Sequence, residues 1–275
     1  MTDQQSDDDL RNEIIVALSR VAYFPNIAGP GPGICGVCRG PAPESGLCST
    51  CLTTRETLLG ATCDHTFFLA YADGWNPDGW SQSAHTMRQY KESAPARSVE
   101  DLQWLTFTTT WIHDDCLRAA EGGEWDVATF VPSRTPRAGP HPVAGIARNV
   151  ARLSADDPAK GGKYQIKRVL MECGPVNLPR FADVGRFAVP DAVRPQVEGN
   201  RVLLIDDTWT TGNSLQSAAA ALKAAGAAVV TGLCVARWLS WKRDSEASLL
   251  KRVTVGAFDP FVCIAGTHKC RLTPS

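Results

Sequence analysis

Neither sign of charge prevails in this chain, because 28 basic and 29 acidic side chains nearly cancel. A balance this close to neutral implies no partner recruited by bulk charge, neither a long nucleic acid nor an anionic membrane surface. The opening MTDQQSDDDL lacks the basic and apolar regions of a signal peptide. No apolar run is long enough to cross a bilayer, since the alanine-rich 218–236 stretch is interrupted by Lys223 and by a break at Gly226. Internal repeats and long low-complexity segments are missing too. So is the lysine of a Walker phosphate loop: Lys223, the only lysine near the Gly turn at 208–212, falls well inside the helix that follows. What remains is a chain of 275 residues, enough for one sizeable domain plus a small satellite. Its ten cysteines, with no export signal, read as thiols and metal ligands rather than disulfides, and the expected compartment is the cytoplasm.

The densest information lies at 202–214, VLLIDDTWTTGNS. Four apolar residues, Val202 to Ile205, run into the adjacent carboxylates Asp206 and Asp207. A Thr/Gly turn follows, and then Leu215, Ala219, Leu222 and Ala225 recur at helical spacing. An apolar run before a Gly turn predicts a buried parallel strand, so the segment reads strand–turn–helix. Such a junction offers the unpaired N–H groups and positive end of a helix to an anion, with Thr210, Thr211 and Ser214 adding hydroxyls. The aspartates, one step earlier, can accept hydrogen bonds from a sugar diol. A receiver domain also pairs aspartates after an apolar strand, but it needs more chain downstream than this sequence supplies. A plain corner with solvated acids explains the carboxylates and leaves the Thr-Thr-Gly-Asn-Ser run unexplained.

A second motif is metallic. Cys35 and Cys38, then Cys48 and Cys51, form two Cys-x-x-Cys pairs separated by nine residues. Four thiolates at this spacing can close a tetrahedron around a structural zinc ion, with Gly36 and Gly40 suited to the knuckle bends. So small a segment cannot build its own core, and the metal would fold it. Unliganded or redox thiols are the competing reading. Cys63 with His65, Cys116 with His113, and Cys263 with His268 and Cys270 have conceivable ligand spacings, but buried thiols are the commoner outcome for such residues, and a single zinc is expected.

The rest of the chain organises around these anchors. Residues 10–22 read as an amphipathic helix, and the Pro/Gly-rich 25–33 as a linker. TFFLAYA (66–72) is a predicted strand and HTMRQYK (85–91) part of a helix. A further helix is expected from a cap at Ser98 to about Ala120, with three threonines at 108–110 in its middle. Strands are predicted at DVATFVP, at 167–172, at 227–238 and at 252–258, with a helix over 143–153. Strand–helix alternation with short crossovers predicts an α/β fold, a mostly parallel sheet flanked by helices, with a ligand at the carboxyl ends of the strands.

The strand–turn–helix at 202–214 resembles the phosphoribosyl pyrophosphate (PRPP) motif of type I phosphoribosyltransferases: apolar strand, two acids, then T-T-G-x-S/T. The resemblance implies that Asp206 and Asp207 take the ribose hydroxyls, while Thr208, Thr210, Thr211, Gly212, Asn213 and Ser214 wrap the 5′-phosphate. Trp209 departs from the smaller apolar residue usual there. The resemblance also implies a pyrophosphate loop after an early strand, here VPSRTPR with Ser133, Arg134 and Arg137, with a solvent-facing basic turn as the competing reading. Together with the C4 segment and the MRQYK helix, the chain resembles the ComF family of phosphoribosyltransferase-like proteins, named for a competence protein needed for DNA uptake. The GPHPVAG stretch departs from the more asparagine-rich turn of that family.

The domains expected on this basis are an amino-terminal helix and linker (1–32), a C4 zinc-ribbon segment (33–62) and a phosphoribosyltransferase-like domain (63–275). The resemblance implies a magnesium ion bridging the pyrophosphate and ribose of PRPP. It further implies transfer of phosphoribose to an acceptor nitrogen through an oxocarbenium-like transition state, with Arg134 and Arg137 stabilising the leaving charge and Asp206 and Asp207 in the catalytic site. The acceptor has no readable signature. A non-catalytic PRPP- or nucleotide-binding module, acting in DNA uptake or regulation through protein partners, stays open beside the enzyme. In either case the expected partner is PRPP or a nucleotide-like small molecule, with no membrane, and the near-neutral charge gives no support to nucleic acid.

Overall fold

The computed structural model describes residues 3–44, 46–91, 96–133, 142–155, 166–177, 181–268 and 270–272. In chain order, α1 spans Asp3–Leu18, α2 Ser49–Thr57, β1 His65–Gly74, α3 Gln82–Gln89 and α4 Ala96–Glu121. Then come β2 (Val127–Phe130), α5 (Pro142–Ala155), β3 (Lys167–Arg168), β4 (Glu172–Cys173), β5 (Phe187–Ala188) and α6 (Arg194–Val197). The chain continues through β6 (Arg201–Trp209), α7 (Asn213–Ala224), β7 (Val229–Ser240) and α8 (Asp244–Val253).

Five strands form one parallel sheet in the order β1-β7-β6-β2-β3. The fold is therefore the expected α/β architecture, a parallel sheet flanked by helices. β6 runs between β7 and β2, so its side chains are covered on both faces, which is why four consecutive apolar residues are tolerated there. Strand alternation divides them: Leu203 and Ile205 pack with residues of α1, α4 and α5, while Val202 and Leu204 pack with residues of α7 and α8 and with Cys35, Cys38 and Cys51. The cysteine segment thus lies on the α7 side of the sheet and the long helix α4 on the other.

Several predicted elements are corrected. The strand expected over 167–172 is split in two: Lys167–Arg168 extends the main sheet beside β2, and Glu172–Cys173 pairs antiparallel with β5. Ser98 lies inside α4 rather than capping it. The threonines at 108–110 do not interrupt that helix, because Thr110 returns its hydroxyl to the carbonyl of Thr106 at 2.6 Å. The strand expected at 252–258 does not form. Asp244–Val253 is helical, with Asp244 and Glu246 in the first turn, Lys251 and Arg252 in the last, and Leu249 and Leu250 buried. Charges placed this way suit the helix dipole, and the Val-Thr-Val alternation that mimics a strand lies at and beyond the helix end.

Leu204→Ala, on the fully covered central strand, is expected to cost about 2–5 kcal/mol in urea unfolding. Val255→Thr, at 85 % exposure, is expected to stay within about 0.5 kcal/mol of wild type. A large loss at Val255 would restore the strand reading of that segment.

Candidate ligand site and cysteine centre

Parallel strands place their carboxyl ends at one edge, and β6 delivers Asp206 and Asp207 there. Phe130 of β2 pairs with Ile205, and the Val131 N–H donates to the Ile205 carbonyl at 3.0 Å. Ser133, exposed, therefore leaves the sheet at the same edge as the two aspartates. Arg134 and Arg137 lie outside the described residues.

Successive strand residues leave opposite faces, and the aspartates do so. Asp207 is buried and meets the end of α3. The Tyr90 hydroxyl donates to its Oδ2, and Lys91 Nζ lies 2.8 Å from the same oxygen. α3 is aimed by its cap, since the Ser81 hydroxyl accepts from the Ala84 N–H at 3.2 Å. Asp206 is half-buried, and its Oδ1 accepts the Asp207 N–H at 2.9 Å. Burial first, then the Asp207 carboxylate, push the Asp206 carboxyl well above the ordinary carboxylate range, against the pull of Lys91 and Arg186. Thr208 is half-buried, and its hydroxyl oxygen, itself buried, has no hydrogen-bond partner among the described residues.

The turn then does what a phosphate cradle requires. Thr210 and Thr211 are exposed, Gly212 and Asn213 are buried, and Ser214 is half-buried. Gly212 caps α7 at φ 84°, a left-handed conformation that favours glycine. A Cβ there would also come within 2.2 Å of the Trp209 ring. Trp209 is itself 2 % exposed and packs edge-on against Phe68 with centroids 5.5 Å apart. The unusual tryptophan is thus the floor beneath the turn. Arg186, in a short 3-10 turn, donates to Ser214 Oγ at 3.0 Å and adds a cation on the α7 side.

The C4 cluster assembles as expected. The four sulfurs of Cys35, Cys38, Cys48 and Cys51 all lie within 4.8 Å of one another. Cys38 and Cys48 are 3.7 Å apart, close to the edge of about 3.8 Å set by a tetrahedron of Zn–S bonds near 2.3 Å. The Cys48 N–H points at Cys35 Sγ at 3.4 Å. In the first knuckle it is Arg39, not Gly40, that adopts positive φ (54°). Gly40 instead permits close approach, since a Cβ would lie 2.9 Å from Arg237 Nη2 and 3.3 Å from Cys38 Sγ. Arg39 is buried with an Nη1 that has no hydrogen-bond partner among the described residues, beside Cys35 and Cys38. A cation left unpaired beside four thiols suits a centre that becomes anionic when a divalent ion binds four thiolates.

Arg237 of β7 ties the two sites together. Its guanidinium is 5 % exposed. It donates to the carbonyls of Cys38 at 3.0 Å, Thr210 at 2.9 Å and Trp209 at 3.3 Å, and also to that of Trp238. Tyr90, Lys91, Arg186 and Arg237 were not among the residues singled out from sequence. The Tyr-Lys pair at the end of a helix was visible there, but nothing local paired it with Asp207.

Parallel sheet, acid pair and Gly-capped helix meet at one edge of the sheet. The family model described as a phosphoribosyl transferase domain matches residues 178–255, from the segment before β5 into the turn after α8. No curated protein matches the chain. Among the described residues no helix is long and apolar enough to cross a membrane.

Two predictions follow from this geometry. The folded state holds the Asp206 proton more tightly than the unfolded chain, so Asp206 detracts from stability above the ordinary carboxylate pKa, increasingly as pH rises toward its folded value. Asp206→Asn should therefore raise Tm at neutral pH, and the gain should vanish below about pH 4, where both forms are neutral. A lower Tm at neutral pH, read by calorimetry across pH, would mean that Lys91 and Arg186 hold the carboxylate ionised. For the cysteine centre, Cys48→Ser is expected to remove one zinc equivalent per chain by elemental analysis, and unchanged zinc content would refute the assignment.

Proposed function

We propose that this protein is a PRPP-dependent phosphoribosyltransferase that moves phosphoribose to an acceptor nitrogen and releases pyrophosphate. What carries the reading is the junction at the carboxyl edge of β6: two acids and a Gly-capped helix entrance, all within the stretch matched by the phosphoribosyl transferase family model. In this reading Asp206 and Asp207 accept from the ribose hydroxyls. The first turn of α7, with Thr208, Thr210, Thr211, Asn213 and Ser214, takes the 5′-phosphate, because helix-entrance N–H groups lack intrahelical acceptors. Ser133, Arg134 and Arg137 face the pyrophosphate, where the arginine fork matches phosphate oxygens. Magnesium arriving with PRPP would supply charge neutralisation at the phosphates. Zinc at Cys35, Cys38, Cys48 and Cys51 is structural, since four protein ligands leave no open position. The kinship with ComF proteins, and a setting in DNA uptake, rest on the order of C4 segment, MRQYK helix and PRPP motif.

One observation favours a second reading. Tyr90 and Lys91 already engage Asp207, the carboxylate a ribose diol needs. A binding module that senses PRPP or a nucleotide by displacing this contact would not require turnover.

Calorimetry with PRPP and magnesium distinguishes site from mis-assignment. Asp207→Asn should weaken binding by roughly 1.5–3 kcal/mol, the range for hydrogen bonds to a charged group, and Asp206→Asn by less, because that carboxyl holds its proton more tightly. Gly212→Val should weaken it further. Equal affinity in wild type and all three variants would move the site elsewhere. Pyrophosphate release across nucleobases, amines and single-stranded DNA then separates the two readings. In the enzyme, alanine at both Arg134 and Arg137 slows release far more than it weakens binding of ribose 5-phosphate, because the charge they stabilise grows only as the bond breaks. No PRPP consumption with any acceptor, with binding intact, decides for the module.

A further inference from the structure

On the α4 side of the sheet, four other metal-ligating side chains converge. His113 and Cys116 lie one turn apart on α4, both fully buried, and Cys263 and Cys270 come from the irregular segment after α8. Their ligand atoms all lie within 4.8 Å of one another. His113 Nδ1 is 3.2 Å from Cys270 Sγ and 3.6 Å from Cys116 Sγ. Zinc bonds of about 2.0 Å to nitrogen and 2.3 Å to sulfur, in a tetrahedron, place N and S about 3.5 Å apart.

The surroundings orient these atoms as ligands. His113 Nε2 lies 2.9 Å from the Pro260 carbonyl. An oxygen there requires Nε2 to carry the proton, which leaves the Nδ1 lone pair facing the sulfurs; a backbone carbonyl on the far nitrogen is the usual outer-shell partner of a metal-bound imidazole. The backbone N–H of His268 points at Cys263 Sγ at 3.4 Å, a donor that favours thiolate over thiol. Cys116 Sγ also sits 3.1 Å from the His113 carbonyl, where a thiol would donate, a bond that deprotonation on metal binding gives up.

The segment itself asks for such a centre. Among the described residues from Thr254 to Leu272 there is neither helix nor strand. Yet it is fastened to distant parts of the chain: the Phe258 N–H donates to the Ala22 carbonyl at 3.0 Å, the Thr267 hydroxyl to the Cys116 carbonyl at 3.2 Å, and the Arg271 N–H to the Ile112 carbonyl at 2.8 Å. A stretch without regular structure has little backbone pairing of its own to offset the entropy of ordering. Phe258 and Ile264 add modest apolar burial.

We propose that His113, Cys116, Cys263 and Cys270 form a second, structural zinc site that staples the carboxyl-terminal segment to α4. Three thiolates and one imidazole form a closed borderline-soft set that suits Zn2+ and leaves no position for substrate. The site is independent of the phosphoribosyltransferase reading.

The full chain, purified without added metal or chelator, is expected to carry two zinc equivalents. Cys48→Ser removes one and Cys270→Ser the other. X-ray absorption on Cys48→Ser should find its remaining zinc bound by three sulfurs and one nitrogen, and on Cys270→Ser by four sulfurs. A wild type with one equivalent, insensitive to Cys270→Ser, overturns the proposal, as does a disulfide among Cys116, Cys263 and Cys270 in the unreduced chain. Should Cys270→Ser fail to fold, the wild type alone decides. Iodoacetamide should spare Cys263 and Cys270 until a chelator releases zinc, and alkylation at the same rate with and without chelator refutes the site.

Discussion

A buried guanidinium is the constraint on which the ligand edge rests. Arg237 has almost no access to water, and a charge in that position is costly unless its donors are matched. It is matched by main-chain carbonyls from separate parts of the chain: Cys38 in the first cysteine knuckle, and Trp209 and Thr210 at the end of β6. The nearest carboxylate, Glu246 of α8, stands off at 4.0 Å, so the fork of donors, more than the ion pair, sets the geometry. Zinc bound by the four thiolates beside it would carry a net negative charge, and Arg237 and Arg39 are buried cations next to those cysteines. The cysteine segment and the turn that would hold a phosphate are therefore one construction. Loss of metal would free the Cys38 carbonyl, and with it one of the supports of the Thr210 turn.

Trp209 completes the same construction by packing. Its ring fills the space that a side chain at Gly212 would need, and it leans on Phe68 of β1. A smaller apolar residue would leave a void under the turn, and core voids are not tolerated cheaply. The tryptophan that departs from the smaller residue of the motif it resembles packs in the same cluster as Cys35, Cys38 and Cys51.

What the sequence disclosed was whatever local pattern can encode. An apolar run before a Gly turn specifies a doubly covered strand, and β6 lies where that pattern puts it. Two Cys-x-x-Cys pairs specify a tetrahedral cluster because each pair turns within a few residues. What stayed hidden was long-range. Arg237 sits in a buried stretch of β7, and no local signal says that its side chain reaches the residue-38 knuckle. His113 and Cys116 show only half a ligand set, and their partner Cys270 is 157 residues away. The end of α8 misled for a different reason. Val253 to Val255 alternates with the period of a strand, but the charges and buried leucines of residues 244–253 obey the helical period, and the longer pattern won.

With zinc bound, the two cysteine clusters would help to hold together the irregular parts of the chain. Cys35, Cys38 and Cys51 pack on the α7 side of the sheet, while Cys116 packs with the α4 side, where Cys263 and Cys270 also lie. Each centre gathers a segment poor in helix and strand onto a regular element: the 33–48 knuckles onto the ends of β6 and β7, and the 258–272 segment onto α4. Structural zinc in small peptides binds with an apparent free energy of about 10–16 kcal/mol, as large as the whole stability of a typical domain. Neither segment needs a core of its own at that scale. The sheet is then left to do one thing, which is to present Asp206, Asp207 and the α7 entrance at its carboxyl edge, where the first cysteine knuckle supports the Thr210 turn through Arg237.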